Sequence, residues 1–85
     1  MEWKNLSNEA KSIIEWIEDP FTGKKETVEI KIGKTFQRKF PNVNILVTKE
    51  LYQEILQFVT EDDNIQCEQF MDGLLFRLKE TVKLH

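Results

Sequence analysis

At 85 residues and a net charge of −3, the chain has room for one domain, near the lower limit of what folds alone, where many chains gain stability by dimerising. Its 40% hydrophobic and 32% charged residues are those of a soluble globular protein and exclude a disordered tail. No apolar run reaches membrane-spanning length, MEWKNLSNEA is not a signal peptide, and a lone Cys67 excludes an internal disulfide, so the reading is a complete small cytoplasmic protein.

The first predicted element is a helix over 7–18. Ser7 is its N-cap, Glu9 lies in its first turn, and Ala10, Ile13, Ile14 and Ile17 fall on one face. Asp19-Pro20 ends it, because the residue before proline avoids helical geometry. Residues 26–32, ETVEIKI, alternate with Val28, Ile30 and Ile32 on one side, the pattern of a half-buried strand. Alternation continues through Phe36, Arg38 and Phe40 after a bend at Gly33. A second strand, 43–47, puts Val43, Ile45 and Val47 on one face and Asn44 and Leu46 on the other.

Thr48 caps the next helix, whose stripe is Leu51, Tyr52, Ile55, Leu56, Phe58 and Val59. Asn64, the residue after glycine that best tolerates left-handed geometry, stops the chain there. A last helix over 66–83 carries Cys67, Phe70, Met71, Leu74, Leu75, Leu78 and Val82, with Gln69 in a capping-box position and an Ile65–Phe70 staple. Gly73 within it suits a close helix approach, as at a dimer seam. The predicted order is therefore α-β-β-α-α in one α+β domain, with 1–41 an N-terminal helix and strand extension to a module at 42–85.

The run Thr48-Lys49-Glu50-Leu51 after a short strand, followed by Asn64-Ile65-Gln66-Cys67-Glu68-Gln69-Phe70-Met71-Asp72-Gly73-Leu74-Leu75, resembles the ribbon-helix-helix repressors, the Arc and methionine-repressor superfamily, over about residues 42–82. The resemblance implies a homodimer in which strand 43–47 of two chains pairs as an antiparallel ribbon entering the DNA major groove. Carried over position by position, it implies base reading by Asn42, Asn44 and Leu46. Phosphate would be held by the helix amides at Gln66, Cys67 and Glu68, and by Lys34, Arg38, Lys39 and Lys49 acting as a basic arm. The function so implied is a sequence-specific transcriptional repressor of the kind phages and plasmids encode, binding double-stranded DNA.

Charge points to a rival reading. Residues 22–40 carry six bases against two acids, whereas 50–72 carry seven acids and no base. Such segregation marks a face that meets something, whether another molecule or the chain's own complement. In the rival reading the protein is an acidic protein-interaction module, such as a small phage-type inhibitor of a host enzyme. Glu54, Glu61, Asp62, Asp63 and Glu68 would then meet a basic surface on a host protein, and 26–40 and 43–47 would form a hairpin within one chain. An antitoxin-like regulator would combine the two activities.

No catalytic function is expected. The one histidine is the terminal His85, and Cys67 lacks a histidine partner in sequence and fits the apolar stripe. The acids at 61–68 lack the alternating oxygens and turn glycine of a calcium loop. No metal, cofactor or membrane partner is expected.

Overall fold

The computed structural model describes residues 1–39 and 42–79. Phe40, Pro41 and the expected helix end at 80–83 lie outside the described residues, as do Val82 and His85.

The first helix forms where expected but is shorter. After a 3-10 turn at Trp3–Asn5, α1 runs Asn8–Ile14 and continues as a second 3-10 turn, Glu15–Ile17. Ser7 caps it, its Oγ accepting from the Ala10 amide (3.2 Å). Ala10, Ile13 and Ile14 are buried. The chain then reverses through a turn in which Asp19 Oδ1 accepts from the Phe21 and Thr22 amides, and Gly23 takes φ +73°.

Strand β1, Val28–Lys31, buries Val28 and Ile30 and exposes Glu29 and Lys31. The expected bend at Gly33 is a full reversal: φ is +83°, a region that only glycine enters freely. Strand β2, Thr35–Arg38, follows and pairs antiparallel with β3, Val43–Leu46. Strand β3 thus pairs along one of its edges in a hairpin within the chain, the pairing that the interaction-module reading expects. The β2 strand supplies the partner that the backbone groups of Val43 and Ile45 require.

Helix α2, Lys49–Glu61, is capped by Thr48, whose Oγ1 accepts from the Leu51 amide (3.1 Å). Leu51, Tyr52, Ile55 and Val59 are buried, as its stripe predicted. The helix ends without a left-handed stop, since no non-glycine residue among those described has positive φ. Instead the Asn64 amide donates to Asp62 Oδ1 (2.8 Å).

The largest correction follows. In place of a helix over 66–83 stand two strands, β4, Ile65–Gln69, and β5, Gly73–Leu78. The order is thus α-β-β-β-α-β-β, not α-β-β-α-α. Cys67, Phe76 and Val28 form one cross-strand row, and Gln69, Leu74 and Ile30 another, in a sheet ordered β1-β5-β4. Phe70 and Met71, apolar members of the supposed helix stripe, sit exposed at the turn, so no Ile65–Phe70 staple exists. Gly73 serves a strand contact rather than a helix seam: a Cβ there would lie 3.1 Å from the Ile30 carbonyl oxygen and Lys31 Cγ.

One core joins all of this. Leu74, Phe76, Val28 and Ile30 from the larger sheet meet Phe36 from the smaller and Val47 just past its β3 strand, beneath the apolar faces of α1 and α2. The Tyr52 hydroxyl, buried in that layer, donates to the Gly73 carbonyl (3.1 Å).

Candidate interaction surface

The β3 strand ends the smaller sheet, and the residues assigned to base reading lie along it. Asn42, Asn44 and Leu46 are all exposed, Leu46 by 57%. Asn44 stands opposite Gln37 and Leu46 opposite Thr35, so all four side chains share the outward face of the hairpin.

The backbone of this strand has an orientation fixed by its register. The Val47 amide donates to the Lys34 carbonyl (2.9 Å), and antiparallel pairs alternate from there. Val43, Ile45 and Val47 therefore turn their N–H and C=O towards β2. Asn44 and Leu46 turn theirs to the opposite edge, where no strand pairs among the described residues.

Leu46 also begins a groove of about 990 Å³ running along α2. Leu51 and Leu56 contribute apolar walls, and Glu9, Glu50 and Glu54 bring carboxylates. The first-turn acids of both helices thus face one concavity: Glu9 opens α1 and Glu50 opens α2. Sequence reasoning passed over both as groove residues, because only the packing of α1 beside α2 brings them together.

The acids singled out from sequence are in part already engaged. Glu54 accepts from the Ser7 amide (2.8 Å) and the Ser7 hydroxyl (2.6 Å), tying α2 to the start of α1. Glu61 pairs with the α-amino group of Met1, and that hydrogen bond, with the positive charge behind it, holds its carboxyl below the usual carboxylate range. Asp62 holds the Asn64 amide. Asp63 and Glu68 are exposed and make no ion pair among the described residues.

The proposed phosphate contacts do not form one site. Gln66, Cys67 and Glu68 lie within β4, so there is no helix N-terminus to present their amides. Cys67 is half-buried beside Phe76. Arg38 is occupied: its guanidinium stacks 5.1 Å from the ring centres of both Trp16 and Phe36, with Glu26 at 3.8 Å. Lys34 and Lys49 are exposed near one end of the hairpin and Lys39 near the other. At about 3.3 Å per residue, Lys34 and Lys39 stand roughly 17 Å apart along β2.

The described residues contain no group of three or more histidine, cysteine or carboxylate side chains placed to hold a metal ion, and no helix long and apolar enough to cross a membrane. Comparison with protein-family models, with curated proteins and with solved structures finds no match to this chain.

Proposed function

We propose that the protein is a small acidic interaction module that binds a basic segment of a protein partner along the α2 groove. One observation carries this reading: the groove that runs from Leu46 along α2 combines apolar walls with the carboxylates of Glu9, Glu50 and Glu54. Glu54 is committed to Ser7, which leaves Glu9 and Glu50 as the groove acids to meet a cation. Aliphatic stems of lysine or arginine suit such walls while their charged ends reach the carboxylates. The resemblance behind the repressor reading calls for a helix over 66–83, and strands β4 and β5 stand there instead.

Fluorescence anisotropy tests the proposal with three probes: a blocked peptide of alternating valine and lysine, its valine–glutamate counterpart, and a DNA duplex. The lysine peptide is expected to bind, more weakly as salt rises, and to lose affinity when Glu9 and Glu50 are changed to Gln. The other two probes are expected to bind far less. A duplex that binds more tightly than the lysine peptide, with a steep salt dependence lowered by Lys39→Ala, would overturn the proposal in favour of DNA.

A further inference from the structure

The acidic groove does not account for the strand beside it. The β3 edge is open at Asn44 and Leu46, and edges of this kind are ordinarily blunted by charge, proline or a bulge. Here residues 42–48, NVNILVT, contain no charged side chain and no proline. The inner-face residues Val43 and Ile45 are only half-buried, so apolar surface remains beside the open edge. Leu46, on the other face, lines the groove.

Resting on the reading of the groove as a site for a basic segment, we propose that the segment binds extended, as a strand added to the open edge of β3. Its backbone would bond the N–H and C=O of Asn44 and Leu46, the general logic of strand addition. Alternate side chains of an added strand face opposite ways. One set, apolar, would cover Val43 and Ile45. The other, basic, would lay its stems over Leu46 and reach Glu50 and Glu9. An occupant bound as a helix would use the groove and leave the edge amides untouched.

The register supplies a selective test. Proline is tolerated in an edge strand where its missing N–H faces outward. Asn44→Pro removes an outward N–H and spares the β2–β3 ladder, and Val43 before it is already extended. With the blocked valine–lysine octapeptide as probe, Asn44→Pro is expected to weaken binding about tenfold, the loss of one well-made hydrogen bond. In hydrogen exchange on the unaltered protein, the Asn44 and Leu46 amides should exchange fast when free and slow in the complex. Those of Val43, Ile45 and Val47 should be protected in both.

A second arm leaves the protein untouched. N-methylation of the peptide on one alternating set of residues should abolish binding, and on the other set should spare it. Equal effects of the two sets, or unprotected Asn44 and Leu46 amides in the complex, would overturn strand addition. If Glu9→Gln and Glu50→Gln weaken binding while Asn44→Pro does not, the acidic-module reading stands and the edge inference falls. If none of the three changes binding, both fall. A concentration-dependent dimer abolished by Asn44→Pro would assign the edge to a second copy of the chain and overturn the proposal.

Discussion

Ser7 shows how much can pass through one side chain. Its hydroxyl accepts from the Ala10 amide and donates to Glu54, and its amide donates to the same carboxylate. Replacing Ser7 by alanine removes the cap and one charged hydrogen bond, leaving only the amide contact. The expected loss is about 1–2 kcal/mol, read as a lower urea midpoint with an unchanged slope. Thr48→Ala removes only a cap and should cost about 1 kcal/mol. Equal losses for the two would show that the Glu54 bridge adds nothing. The cap itself is legible in sequence, because serine before an apolar-periodic run carries its own mechanism. Glu54 as its second partner is not: the two residues are distant in the chain, and only packing of α1 on α2 makes the carboxylate a structural group. The same limit hid the site assigned to Arg38. A basic residue in a basic stretch reads as free until Trp16 and Phe36 close around it.

Among the elements, the turn at Gly33 sets the course of the chain. Its positive φ reverses β1 into β2, and its amide donates to the Val47 carbonyl (2.8 Å), joining the reversal to the end of β3. The space around a Cβ at Gly33 is open, so the cost of Gly33→Ala is conformational alone, about 1–2 kcal/mol. Chemical denaturation should show that loss, and D-alanine at the same position should restore stability; a neutral L-alanine variant would contradict the turn geometry. The starts of α1 and α2 were legible because cap and period agreed, and β1 because it alternates cleanly, whereas the stop expected from Asn64 was not the one the chain uses. Residues 65–78 were not legible, because two periods coincide there. Cys67, Phe70, Met71, Leu74, Leu75 and Leu78 satisfy a helical stripe, while Ile65, Cys67, Leu74, Phe76 and Leu78 satisfy alternation about a turn. Asp72-Gly73 is a hairpin signal within that stretch. Tertiary need decides between them: β1 has buried backbone groups to pair, and β5 beside it supplies them. The outward face of β3, by contrast, followed from alternation alone, and Asn42, Asn44 and Leu46 are exposed as expected.

At the scale of the whole molecule, the question is whether the two sheets behave as one body. Their hydrogen bonds are separate ladders, linked at the β1–β2 turn, where the Ile32 amide reaches Asp72 and the Gly33 amide reaches Val47. Their apolar sides, however, enter a single core: Phe36 and Val47 are buried in the same cluster as Ile30 and Phe76. A two-stranded hairpin is marginal by itself in water, so β2–β3 depends on that shared core. Trp16 reports on the junction, being buried and stacked on Arg38 at the end of β2. In a Trp3→Phe variant, Trp16 fluorescence and far-ultraviolet circular dichroism should give coincident urea transitions, the mark of one cooperative unit. The outcome bears on the proposed docking mode as well as on the fold. An edge can template an added strand only while the hairpin that carries it stays fixed, because ordering a frayed hairpin would draw on the binding energy. A fluorescence transition that precedes the loss of secondary structure would mean that β2–β3 detaches early and offers no preformed edge.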